Sequence, residues 1–131
     1  DEINLIKKGA NYGWAKVSHG KEYWGPGPLD VGEAKSLPGM EDPKLVYIPS
    51  IAPSNMILYR GDKYPELDGK ILAGALKLTH INVVSIENGK LTESKRLMEN
   101  LGERVRDITI SPDGYLYFST DSGKIFRLEE E

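Results

Sequence analysis

The chain has 131 residues, 39% of them hydrophobic and 28% charged, with a formal net charge of −3, the values of an ordinary globular domain. The weak negative charge offers no basic footprint to a nucleic acid, and no apolar run approaches the roughly 18 residues of a membrane-spanning helix. Cysteine is absent, which removes disulfides, thiolate zinc sites and cysteine nucleophiles together.

No signal-peptide pattern opens the chain, which starts at Asp1 without a methionine. Residues 1–6, DEINLI, carry a short apolar segment that runs into a turn at Lys7-Lys8-Gly9. NYGW at 11–14 reads as a loop whose aromatic rings plug a core edge. Residues 18–43 are rich in proline, glycine and charge and read as a long surface excursion. The two histidines, His19 and His80, lie far apart without a supporting motif, and neither is assigned a catalytic role.

The texture changes at Val46. PSIAPS at 49–54 is a proline-spaced extended segment, and NMILY at 55–59 reads as a buried strand ending at Arg60-Gly61-Asp62. That tripeptide matches an integrin-binding motif but is expected to be a plain hairpin turn. ILAGAL at 71–76 is small and apolar enough to be covered on both faces, and Lys77 follows it. A strand over 81–87 leads into Asn88-Gly89, a type I′ hairpin signal because both positions tolerate φ > 0. Residues 95–101 read as an outer strand in preference to a short helix.

The densest stretch is GERVRDITISPDGYLYFSTD at 102–121. Arg104 and Arg106 stand two residues apart, so on a regular strand both leave the same face, and Ile108 and Ile110 would continue it. Ser111-Pro112-Asp113-Gly114 is a turn, with proline presetting φ and glycine accepting φ > 0. Strands follow over 115–120 and 124–128. Read from the residues, the arginine pair is either a solvated edge paired with local acids such as Glu103 and Asp107, or a guanidinium clamp for carboxylate or phosphate oxygens. Spacing alone does not choose.

Strands near 55–59, 71–76, 81–87 and 95–101 form one four-stranded unit, and those near 105–110, 115–120 and 124–128 begin a second. This repeat is the signature of propeller blades. The expected class is all-β, part of a β-propeller, with a lead-in strand and long loop over 1–45, a blade over 46–101 and an incomplete three-stranded last blade over 102–131.

DEINLI, NYGW, PSIAPS, Ala75-Leu76-Lys77, GERVRD, SPDG and Thr120-Asp121 occur in one order that runs nearly end to end. Together they resemble the C-terminal part of the soluble pyrroloquinoline-quinone (PQQ) dependent aldose sugar dehydrogenases, the glucose/sorbosone dehydrogenase family. The resemblance implies a six-bladed propeller with PQQ and calcium near its axis, and Lys77, Arg104 and Arg106 in contact with PQQ. It implies oxidation of an aldose C1 hydroxyl to the lactone, an external electron acceptor, and a periplasmic or secreted location. The general base, a histidine, and the calcium ligands are expected upstream of this chain, and His19 and His80 match no such position. The chain thus carries cofactor contacts but no catalytic residue or metal ligand of its own. Its expected partners are the aldose and the remaining blades of a parent chain or a second copy. The other readings are a non-enzymatic propeller module that binds a partner, and an isolated, inactive propeller fragment.

Overall fold

The structure, a computed structural model, describes residues 1–21, 32 and 34–129; the rest of the 18–43 excursion lies outside them. Among the described residues there is no α-helix. The chain divides into two units, residues 1–48 and 49–131.

In the first unit β1 (Glu2–Ile3) pairs antiparallel with β2 (Leu45–Val46). The turn after DEINLI forms, with Gly9 at φ 74° and the Ala10 amide donating to Lys7 O at 3.2 Å. The Asn11 side chain accepts the Gly13 amide at 2.8 Å, and Gly13 sits at φ 84° against Val17. The Tyr12 hydroxyl donates to Leu5 O and accepts the Lys7 amide, so its ring straps the β1 exit. Trp14 departs from the expected plug: its side chain is 77% exposed.

The second unit holds two antiparallel sheets. One orders β3 (Pro53–Leu58), β4 (Ile71–Ala75), β5 (His80–Glu87) and β6 (Lys90–Leu97) as consecutive neighbours. The other orders β7 (Val105–Ile110), β8 (Leu116–Thr120) and β9 (Ile125–Arg127). Asn88 and Gly89 lie at φ 50° and 75°, the two positive angles of a type I′ turn. At 111–114 the Gly114 amide donates to Ser111 O at 2.9 Å and Gly114 takes φ 88°.

Two connections differ from the expectation. Residues 60–62 are no plain hairpin turn: the link from β3 to β4 runs over 59–70, includes a 3₁₀ turn (Pro65–Leu67), and buries Tyr59, Tyr64 and Leu67. Burial of these three apolar side chains outweighs the short loop that Arg-Gly-Asp alone suggests. The outer strand starts and ends earlier than 95–101, because Met98 adopts φ 62° and breaks the ladder into a second 3₁₀ turn, Glu99–Leu101.

One apolar cluster joins both sheets: Tyr59, Tyr64, Leu67, Leu72, Ile81 and Val83 from the first side meet Val105, Ile108, Leu116, Phe118 and Leu128. The Tyr64 hydroxyl donates to Leu128 O at 2.6 Å and accepts the Leu116 amide at 3.2 Å. Burial raises the Tyr64 pKa above its ordinary 10.0. In β4 residues 72–75 are all buried, as a strand covered on both faces must be. A Cβ on Gly74 would lie 2.4 Å from Ser54 Oγ and 3.0 Å from Val105 Cγ1.

Two outcomes follow from this packing. Gly74→Ala is expected to destabilise by about 1–3 kcal/mol through overpacking, read from the denaturant midpoint. Tyr64→Phe strands a buried amide and a buried carbonyl, and is expected to cost about 1–3 kcal/mol in the same measurement.

Candidate functional site

The site is built where β4 ends and β7 begins. β3 carries a bulge between Pro53 and Met56, and β7 one between Val105 and Asp107. Across these irregularities Ser54 Oγ donates to Val105 O at 2.7 Å, and Asn55 Nδ2 donates to Asp107 Oδ1 at 2.5 Å and to Ile108 O at 3.0 Å. β7 therefore runs in the direction of β3 and opposite to β4. The end of β4 and the start of β7 lie at the same end of the sheets, with Gly74 against Val105.

Lys77 is placed there by the PSIAPS segment. The Leu76 and Lys77 amides donate to Ala52 O at 2.9 Å and Ile51 O at 3.1 Å, which ties the turn after β4 to the segment before β3. Ile51 is buried and Ala52 takes φ 50°. The Lys77 side chain is exposed, and among the described residues it forms no ion pair.

The bulge changes the face of the arginines. On a regular strand Arg106 and Ile108 share a side, but Val105 and Ile108 are the buried residues of β7 while Arg106 and Asp107 are both exposed. Val105 opposes Thr120 and Asp107 opposes Ser119, so one extra residue stands on the β7 side. A bulge of this kind re-aims side chains and leaves the pairing beyond it intact. The expected continuation of the arginine face through Ile108 and Ile110 is thus broken, and the arginines point away from the core.

Their partner is neither Glu103 nor Asp107. Both converge on Asp121: Arg104 Nε donates to Oδ2 at 2.9 Å, Arg106 Nε donates to Oδ1, and Arg106 Nη2 donates to Oδ2 at 3.2 Å. The Asp121 amide also donates to Arg104 O at 3.1 Å. Glu103 turns the other way, accepting Lys124 Nζ at 2.5 Å and Ser122 Oγ at 2.8 Å. The turn over 120–124 therefore grips both sides of the β7 entrance, with Gly123 at φ 80°. Asp121 falls fifteen residues beyond Arg106 in sequence; a carboxylate closing a strand return was the available signal, and the pairing register was needed to use it.

Arg106, then Arg104, hold the Asp121 carboxyl below its ordinary 3.8, and Lys124 with Ser122 hold Glu103 below its ordinary 4.5. The other sequence candidates lie elsewhere. His80 is fully buried at the start of β5, with Nδ1 3.0 Å from Leu78 O. His19 is half-buried in the first unit. Among the described residues no group of three or more His, Asp or Glu side chains could hold a metal ion.

Successive antiparallel sheets of four and three strands are the arrangement of neighbouring β-propeller blades. The sequence profile of the Glucose / Sorbosone dehydrogenase family matches residues 1–127, and the chain belongs to that family. It is 43% identical over 132 aligned positions, 98% of the chain, to an uncharacterised protein of Synechocystis sp., and 39% identical over the same share to the aldose sugar dehydrogenase YliI of Escherichia coli. It spans about a third of these relatives, 31% and 35% of their lengths. The crystal structure of the soluble E. coli aldose sugar dehydrogenase in its apo form superposes with a TM-score of 0.84 at 38% identity, over 92% of this chain and 35% of that one. A glucose dehydrogenase crystal structure superposes with a TM-score of 0.91 at 32% identity, over 100% and 38%. The chain is accordingly all-β and part of a β-propeller.

The lowered carboxyl values carry a sign. A carboxylate whose native pKa is depressed contributes stability above its unfolded value, and that contribution is lost as pH falls through the native one. An acid titration of backbone circular dichroism from about pH 5 to about pH 2 is expected to show the full-length Asp121→Asn and Glu103→Gln variants losing less stability than the unsubstituted protein.

Proposed function

We propose that this chain supplies the cationic rim of the PQQ site in an aldose sugar dehydrogenase, with Lys77, Arg104 and Arg106 as its cofactor contacts. The observation that carries the reading is the surplus of positive charge among Lys77, Arg104, Arg106 and Asp121 at one end of β4 and β7. Lys77 has no acidic partner among the described residues, and the two arginines share a single carboxylate. That carboxylate engages Arg104 through Nε alone, which leaves both Nη groups of Arg104 and Nη1 of Arg106 as donors for another anion.

The donor set fits the group. PQQ is an ortho-quinone bearing three carboxylates, and guanidinium forks match carboxylates while an ammonium serves as a point donor. When bound, PQQ supplies the acceptor for hydride leaving the C1 carbon of an aldose, which becomes the lactone. The residues of this chain bind and orient it, and cations beside oxygens that gain negative charge lower the energy of that charge. The proton of the C1 hydroxyl goes to a histidine base upstream of this chain, as the family resemblance implies, and His80 is enclosed in the sheet. Calcium, with ligands outside this chain, an external electron acceptor, the remaining blades and a periplasmic or secreted location complete the reading. The isolated chain then carries contacts without turnover.

The reading is tested by titrating PQQ into the full-length protein and following quenching of intrinsic fluorescence. Arg104→Gln with Arg106→Gln is expected to weaken binding by about 10- to 100-fold, the value of one or more hydrogen bonds to a charged group. Lys77→Gln is expected to act in the same direction, and Lys90→Gln, at the far β5–β6 hairpin, to leave affinity unchanged. Unaltered PQQ affinity in a folded double-arginine variant would overturn the assignment.

A further inference from the structure

Asp121 poses a problem for a site meant to hold an anion. Its carboxylate stands against both arginines, and by charge alone it opposes any anionic ligand they would take. The trio of Arg104, Arg106 and Asp121 carries a net +1, two positive charges less one negative. A site optimised only for attraction would omit the acid.

The geometry points to a different role: we infer that Asp121 is a positioning residue that grips Arg104 and Arg106 by their Nε sides and presents their Nη ends as a fixed pair of donors to the anion. Asp121 touches Nε of both arginines and only one Nη group, that of Arg106. Its side chain is 31% exposed, against 53% for each arginine, so the acid sits behind the donors and the donors face outward. A free arginine side chain loses rotamer entropy when a ligand immobilises it, and ordering it beforehand removes that cost from the binding step.

Asp121 is itself held. Its amide donates to Arg104 O at 3.1 Å, and its turn is closed by Thr120 N to Lys124 O and Gly123 N to Thr120 O, both at 3.0 Å. On the other side of the turn, Ser122 and Lys124 seize Glu103, the residue before Arg104. Strand and turn are thus locked through alternating charges, acid of the turn to cations of the strand and cation of the turn to acid of the strand. The bulge at Arg106 completes the arrangement, since on a regular strand one residue fewer would separate Val105 from Ile108 on the core side.

This role rests on the reading of Arg104 and Arg106 as ligands of an anion, and it makes a prediction of opposite sign to simple electrostatics. Removing a negative charge beside an anion site strengthens binding if charge alone matters. Removing a positioning carboxylate weakens it. The experiment is the PQQ titration of the full-length protein in Asp121→Asn and Asp121→Glu, with the double-arginine variant alongside and folding checked by thermal melting. Asp121→Asn is expected to weaken PQQ binding by about tenfold, the lower end of what loss of an orienting partner costs metal ligands. Asp121→Glu keeps the charge but moves the carboxylate by one methylene, and is expected to weaken binding severalfold; it carries the test if the asparagine variant does not fold. Binding that is unchanged or tighter in a folded Asp121 variant, while the double-arginine variant loses affinity, overturns the positioning role and leaves the anion site standing. Unchanged binding in the double-arginine variant overturns both.

Discussion

Everything in the second unit depends on the seam where two bulged strands meet. Ser54 and Asn55, on the irregular part of β3, hand three hydrogen bonds to the irregular part of β7, to Val105 O, Asp107 Oδ1 and Ile108 O. A bulge leaves backbone groups outside the regular ladder, and buried backbone groups must find partners. At this seam they find them on the neighbouring sheet, so the defect in each strand becomes the joint between them. Gly74 makes the joint possible, because no side chain fits between it, Ser54 and Val105.

The same joint sets the chemistry. By inserting one residue before Asp107, the β7 bulge keeps Val105 and Ile108 in the core and turns Arg106 outward. By running β7 opposite to β4, the seam gathers Lys77 and the arginines at one end. The core beneath is tied by Tyr64, whose hydroxyl bridges Leu116 and Leu128 at the end of the β8–β9 hairpin opposite the turn that carries Asp121. Local irregularity, long-range packing and the placing of charge are consequences of one arrangement.

The antiparallel strands and two of their turns were legible from residues alone, whereas the grouping of Lys77 with Arg104 and Arg106 rested on the family resemblance. Asn88-Gly89 and Ser111-Pro112-Asp113-Gly114 announce their turns because the backbone angles needed there are ones few other residues accept. The run at 71–76 announces a strand covered on both sides because nothing in it is polar. The motif order from DEINLI to SPDG pointed to the family that the profile match bears out. The excursion over 59–70 was misread because Tyr59, Tyr64 and Leu67 are apolar residues whose burial depends on a sheet 50 residues further on. Trp14 was misread for the converse reason: an aromatic ring in a glycine-containing loop suggests a plug, and only the fold shows that its side chain faces outward.

The sequence by itself determined the alternation of strands, the turns at 88–89 and 111–114 and the presence of Lys77, Arg104 and Arg106, because each of these is carried by neighbours a few residues apart, and it determined the family through the order of motifs along the chain. Only the tertiary structure decided which way the arginines face and which acid they meet. A two-residue alternation presumes a regular ladder, and one inserted residue at the bulge reverses every face beyond it. The partner was equally hidden, since Glu103 and Asp107 are near in sequence and Asp121 is near in space. The register of β7 against β8 brings Thr120 opposite Val105 and so delivers the next residue to the arginines.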